Sequence, residues 1–308
     1  MIVTVTPNTA FDYTLSIHSF ELNQTIRAEH CAWGMGGKAA DAAWILGKLG
    51  EPVLALGFAG GFNGKRMESM LHEHGVSTDF VWVDGETRLN VVITTKGGGQ
   101  STITAPGLQV SPVHLVEFDE RYQKAIESAS CVILDGSLPP GVSESFYFDT
   151  ISKARERSIP VIFDTSGPAI LEGLKARPTI VKPNLDELST LVGHPLSTFP
   201  EIKSVVLGIC DEHKIDMVLT LGNEGSLVCL RGQLLRVEAL QVGVASSAGA
   251  GDGVLAGLAL AIAQHETMEK GLVYGFALAG AIVQTLPTAD FRLEDYNQLL
   301  DKIEIIPL

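Results

Sequence analysis

CVILDG (131–136), PVIFDT (160–165), TIVKPN (179–184) and MVLTLG (217–222) are four short apolar runs, each ending in polar or glycine residues. Helical patterns separate them: residues 143–157, a short segment after 165, and another after KPN. Strands that alternate with helices form βαβ units and a parallel sheet. Runs that are apolar throughout, not only at every second residue, belong to strands covered on both faces. Ligands of such sheets bind outside the carboxyl ends of the strands. The loops DGSLPPG, DTSG, KPNLDE and TLGNEG all fall at that end, so the chemistry is expected there.

Outward from this core, IVTVT (2–6) is a further strand, a Gly-rich loop leads into a helix near 38–49, VLALGF (53–58) is a strand, and a helix follows near 64–74. LNVVITT (89–95) and STITA (101–105) flank KGGGQ, a hairpin turn, with no helix between them. Residues 12–33 and 85–105 therefore read as a small β-sheet lid inserted in one domain that spans 1–308. Two segments of the last third, 251–265 and 269–286, are apolar nearly all round and predict buried helices.

The 308 residues are 45% hydrophobic and 19% charged, which is the composition of a globular chain with a sizeable core. With 22 Lys and Arg against 36 Asp and Glu, the net charge of −14 opposes a broad footprint on nucleic acid or an anionic membrane. An anionic ligand needs a local basic pocket instead. The N-terminus has no basic region followed by an apolar run and cleavage site, and the uncharged stretch 271–289 contains Gln284 and Pro287, which suits a packed core better than a membrane span. Cys31, Cys131, Cys210 and Cys229 are scattered without metal-ligand spacing, as expected of reduced thiols in a cytoplasm. GxxxxGK[ST], GxSxG and HExxH do not occur, and GFAGGFNG (57–64) lacks GxGxxG spacing, which argues against Walker-type, hydrolase-elbow, zincin and dinucleotide chemistry.

SSAGAGDGVLAGLALA (246–261) carries the strongest chemical signal, a Gly-rich turn opening directly into a buried helix. Gly249 and Gly251 permit close approach of a ligand, and the amides of Ala250, Gly251 and Asp252 face outward at the positive end of the helix dipole. Amides so placed can stabilise a transferring phosphoryl group, and Asp252 beside them can take the proton of an attacking hydroxyl. GMGGK (34–38) repeats the loop-to-helix form: Gly36 and Gly37 admit a ligand, and Lys38 is a cation at a helix start, where the dipole gives no reason for one. A polar ligand is its natural compensation. In KPNLDEL (182–188) Asn184 and Glu187 have capping-box spacing, and the same pair could organise a hydrated Mg²⁺ on nucleotide phosphates. Arg27 and Arg88, cations on the lid of an acidic chain, could fork onto a substrate phosphate.

GGK opening a helix, SLPPG, DTSG, KPNxxEL, TLGxEG and GAGD occur in this order over residues 2–285. Together they resemble the ribokinase-like PfkB sugar kinases, within them the hexose-phosphate branch. The resemblance implies a three-layer α/β/α core with a mainly parallel sheet, a β-sheet lid that can form a homodimer, and ATP with Mg²⁺. Asp252 matches the family's base, and Gly249, Ala250 and Gly251 its anion hole. Asp12 looks like the sugar-hydroxyl ligand from the lid, Gly36, Gly37 and Lys38 the sugar loop, and Arg27, Arg88 and Ser137 fall where the existing phosphate is held. Lys182, Asn184, Thr220, Gly222 and Gly225 match the nucleotide side, with Asn184 and Glu187 reaching the metal through water.

Three departures stand out. Ala39 and Asp41 replace the Gly and Asn usual after GGK, Asp135 replaces a Ser before GSLPPG, and Ser246 with Ser247 replaces Asn or Asp with Thr before GAGD. Two of them add acid near the sugar pocket, where Asp41 can accept from sugar hydroxyls, and both bear on which sugar is taken. The leading expectation is ATP-dependent phosphorylation of a phosphorylated ketohexose (fructose 1-phosphate, fructose 6-phosphate or tagatose 6-phosphate) to the bisphosphate, with Asp252 as base and slow turnover of an ordinary one; an unphosphorylated sugar or nucleoside, and a non-catalytic sugar-phosphate-binding role, are the competing readings.

Overall fold

The computed structural model describes residues 1–308. The large sheet runs, in spatial order, through Ile305–Pro307, Gln233–Val237, Ser226–Leu230, Asp216–Thr220, Ile180–Val181, Val161–Asp164, Cys131–Asp135, Ile2–Thr6, Val53–Ala59 and Ser77–Thr78, and Val81–Trp82 also pairs with Val53–Ala59. From Asp216–Thr220 to Ser77–Thr78 all pairings are parallel, and the three strands at the other edge join antiparallel. The sequence pattern did not announce that antiparallel edge.

Because successive strand residues point to opposite faces, each central strand feeds two cores. Ile2, Ile133, Ile162, Ile180 and Val218 pack with the helices Ala39–Lys48, Ala250–Ala263 and Met268–Ile282. Val3, Val132, Leu134, Val161, Phe163 and Met217 pack on the other side with Pro112–Ala125, Ser145–Glu156 and Phe199–His213. The result is an α/β/α sandwich. Ala250–Ala263 and Met268–Ile282 are apolar nearly all round because each packs on the other as well as on the sheet; a side chain at Gly257 would strike the backbone of Gly275.

A separate four-stranded sheet has the order His30–Gly36, Ala10–Ile17, Arg88–Thr95, Gln100–Thr104. Its registers place Asp12, Asn90 and Thr104 on one face, and Tyr13, Trp33, Val91 and Ile103 on the other. One face is polar and the other largely apolar, which gives this sheet two different tasks.

Candidate active site

The same alternation decides which side chains meet. Asp135, Asp164 and Thr220 end their strands, and Lys182 directly follows its own, in phase with Ile133, Ile162, Val218 and Ile180 respectively, so they emerge on the face covered by Ala39–Lys48 and Ala250–Ala263. Asp135 and Asp164 are register partners on adjacent strands. Two like charges directly opposite repel, and both are buried, so counter-charge has to be supplied locally. Lys182 Nζ lies 2.8 Å from Asp164 Oδ2, and Lys38 Nζ lies 3.7 Å from the same oxygen and 3.5 Å from Asp135 Oδ1. Burial works against the Asp164 carboxylate, but Lys182 and Lys38 outweigh it and hold the group below the usual carboxylate range. Burial likewise opposes the Lys38 ammonium, and Asp135 and Asp164 outweigh it and raise the group well above the lysine range.

This corrects the sequence-based reading of Lys38. Its charge is compensated within the chain by two carboxylates on neighbouring strand ends, and no ligand is needed to explain it. Asp164 entered only as part of DTSG, without a role of its own, and Asp135 only as a departure. Reading each strand one alternate residue further along the face of Ile133 and Ile162 would have found both.

At the start of Ala250–Ala263, Gly249 adopts φ 85°, and a side chain there would collide with Ala289. The left-handed turn aims the first helical amides away from the chain: those of Gly251 and Asp252 meet no protein acceptor, and that of Ala250 reaches Ser247 O only at 3.4 Å. Asp252 is buried, which raises its carboxyl, while Lys38 and Lys182 draw it back. Lys182 Nζ also lies beside Gly251, 3.2 Å from where a β-carbon would stand. Amides, base candidate and ammonium thus converge on one point.

Asp12 faces the same region from the small sheet. Its Oδ1 accepts from Asn90 Nδ2 at 2.9 Å and its Oδ2 from Thr288 Oγ1 at 3.0 Å. Burial pushes its carboxyl up to about 6 despite these bonds. Gly36 lies against this carboxylate, and any side chain there would overlap it. Arg88, on the adjoining strand, donates from Nη2 to Asn8 O at 3.2 Å, and Asn8 Nδ2 donates to Ser137 Oγ at 3.0 Å. Asn8, which the motifs did not single out, therefore joins Arg88 to Ser137. Arg27 is not brought to this group. It lies exposed in the connection between Ala10–Ile17 and His30–Gly36 and makes no hydrogen bond or ion pair.

Asp41 sits at the third position of its helix, where Oδ2 accepts from Lys38 N at 3.1 Å and the buried Oδ1 has no partner. Burial first, then the nearby Asp252 and Asp12, raises its carboxyl well above the usual range. A carboxyl whose pKa is higher in the fold than in the unfolded chain makes the wild type lose stability as pH rises from the unfolded value toward the folded one. Asp41→Asn keeps the acceptor for Lys38 N and has no proton to lose. We expect the variant to gain on wild type between about pH 4 and about pH 8 in urea unfolding; an equal difference at both pH values would show that Asp41 is ionised in the fold.

Asn184 and Glu187 form the reciprocal capping box, with Asn184 N donating to Glu187 Oε2 at 2.9 Å and Glu187 N to Asn184 Oδ1 at 2.8 Å. Glu187 keeps Oε1 free, so the box and a water-mediated metal contact are compatible. No three His, Cys, Asp or Glu side chains are arranged to ligate a metal directly. Asn184, Thr220, Gly222, Gly225, Ala250 and Gly251 line one cavity of about 540 Å³. Its far wall is apolar, built from Leu240, Val242, Val244, Phe276 and Val283. An apolar slot opening at a helix N-terminus suits a flat heteroaromatic group that carries phosphates.

Comparison with known proteins agrees. A pfkB family carbohydrate kinase model matches residues 6–294. The chain is 30% identical to the 1-phosphofructokinase of Haemophilus influenzae over 99% of its own length and 97% of the relative's, and 29% identical to that of Vibrio cholerae over 100% and 97%. Among solved structures, a possible 1-phosphofructokinase from Thermotoga maritima superposes with a TM-score of 0.89 at 27% identity, covering 100% of this chain and 99% of the other. Phosphofructokinase-2 from Escherichia coli in complex with fructose-6-phosphate gives 0.87 at 25% identity, covering 98% of each. Sandwich, amide-lined helix start and full-length match point the same way: the chain belongs to the pfkB family of carbohydrate kinases, phosphotransferases with an alcohol group as acceptor.

Proposed function

We propose that this 1-phosphofructokinase-like kinase transfers the γ-phosphoryl group of ATP to a free hydroxyl of a phosphorylated ketohexose, such as fructose 1-phosphate, fructose 6-phosphate or tagatose 6-phosphate, giving the bisphosphate. The observation that carries the reading is the Arg88–Asn8–Ser137 chain beside Asp12, a fixed cation and hydroxyl on the sugar side of the Asp252 turn. Asp252 takes the proton of the attacking hydroxyl while the amides of Ala250, Gly251 and Asp252 receive the transferring group. Asp12 and the loop Gly36–Gly37 orient the sugar. The 540 Å³ cavity takes the nucleotide, with Lys182 beside its phosphates. Asn184 and Glu187 would hold Mg²⁺ through water, where it offsets phosphate charge.

Asp41 and Asp135 favour a second reading, an unphosphorylated sugar or nucleoside acceptor, because both place buried carboxyl groups at the site. Release of ADP from Mg-ATP against each sugar phosphate, free fructose, ribose and a nucleoside separates them. We expect turnover with a hexose phosphate, and Arg88→Ala to raise its KM by about 10-fold or more, as loss of a charge-assisted contact implies. Turnover confined to unphosphorylated acceptors would favour the second reading; binding without ADP release would point to a non-catalytic relative.

The outward face of the small sheet, where Trp33 and Ile103 are exposed beside Tyr13 and Val91, supports a homodimer formed through the lid.

A further inference from the structure

Gln100 begins the edge strand of the small sheet, and its register with Thr94 sets it on the same face as Asn90 and Asp12. From there its side chain crosses to the loop before Ala250–Ala263. Its Oε1 accepts from Ser247 N at 2.8 Å and from Ser246 Oγ at 3.2 Å, and Ser246 Oγ in turn accepts from Ala248 N at 3.2 Å. Ser246 is buried, so its hydroxyl has these two bonds and no water to replace them. The direction of the chain follows: the hydroxyl proton goes to Gln100, which leaves the oxygen free to receive the Ala248 amide. The amide nitrogen of Gln100 donates to nothing in the protein, so the carbonyl is the working end.

We propose that Gln100 is a positioning residue for phosphoryl transfer: its carbonyl fixes the turn that presents the anion-binding amides and thereby couples the seating of the lid to the catalytic geometry. Ser246 and Ser247 are ordered by one acceptor, Ala248 is held in turn by Ser246 Oγ, and the next residue, Gly249, is the left-handed one wedged against Ala289. On the other side Thr288, the neighbour of Ala289, is tied to Asp12 of the same sheet. The turn is thus gripped from two points of the lid, one on each side of Gly249. Amides that stabilise a developing charge have to be held to within a fraction of an ångström, and a turn free to rock loses that alignment without losing its ligands.

This inference rests on the kinase reading for its kinetic arm and stands apart from it for its exchange arm. Gln100→Ala, Ser246→Ala and the double variant are compared with wild type, and wild-type ADP release reports first on the kinase reading itself. Gln100 is exposed, so its variant retains the fold. We expect each single variant to lower kcat about 10-fold with both KM values within about 2-fold, and the double variant to be no slower than the worse single, because the two side chains act as one unit. In the unliganded protein, amide exchange at Ser247 and Ala248 is expected to rise about 10-fold in Gln100→Ala. Unchanged kcat, losses that multiply in the double variant, or unchanged exchange would each overturn the proposal.

Discussion

Asp252→Asn is expected to cut kcat by about 10²- to 10⁴-fold, the usual range for loss of a general base. Asn matches the shape of Asp and remains compatible with the first turn of Ala250–Ala263, so the loss should not come from unfolding. The carboxyl is buried, and its charge is tolerated because Lys38 and Lys182 stand nearby. Burial nonetheless raises it, which is the direction that makes a carboxylate a better proton acceptor. Since removing a buried charge relieves desolvation, thermal unfolding of the variant should match or exceed wild type. ADP release and a melting curve on the same preparation test both halves. Wild-type turnover in the variant would remove Asp252 from the mechanism.

Lys182→Met is expected to destabilise the protein by about 3–5 kcal/mol, the cost of leaving one member of a buried ion pair alone. Lys182 and Asp164 are both buried, and their 2.8 Å contact is the tightest in the Asp135–Lys38–Asp164–Lys182 series. Without Lys182, Asp164 keeps only Lys38, which it shares with Asp135 at longer range. The pH window follows from both partners. Asp164 lies below its ordinary value, so its contribution is present above the carboxylate range and lost as pH falls through its folded pKa. Lys182 lies above its ordinary value, so its contribution is present below the lysine range and lost as pH rises through its folded pKa. Urea unfolding should therefore show the full deficit near neutral pH and a smaller one at about pH 3. Lys182→Met combined with Asp164→Leu should lose less than Lys182→Met alone, because no charge is then stranded. A deficit below about 1 kcal/mol at neutral pH would place the pair outside the structural core of the site.

The element types and the end of the sheet that carries function were legible because both rest on local rules. Strand runs such as CVILD and VIFD are apolar on both faces, and their polar successors mark the carboxyl ends. The Asn184–Glu187 box needs only residues three apart, and it formed as its spacing implied. Lys38 was misjudged because its partners, Asp135 and Asp164, lie about 100 and 130 residues further along the chain. No local pattern ties them to a glycine-rich loop; parallel strand pairing does. The same holds for Asn8 between Arg88 and Ser137, and for Gln100 on Ser246 and Ser247. Arg27 shows the converse, since charge and motif suggested a role for a side chain that the folded chain leaves exposed and unpaired.

The sequence by itself determined the α/β class, the buried C-terminal helices, the glycine-bounded helix start at Asp252 and the family, because periodicity, capping and motif order are carried by residues close together in the chain. Only the tertiary structure decided which charges neutralise one another, which side of each strand end faces the site, and how the small sheet grips the Gly249 turn. Those outcomes depend on strand register and on contacts between residues up to 276 positions apart, where a shift of one residue would turn every side chain to the opposite face.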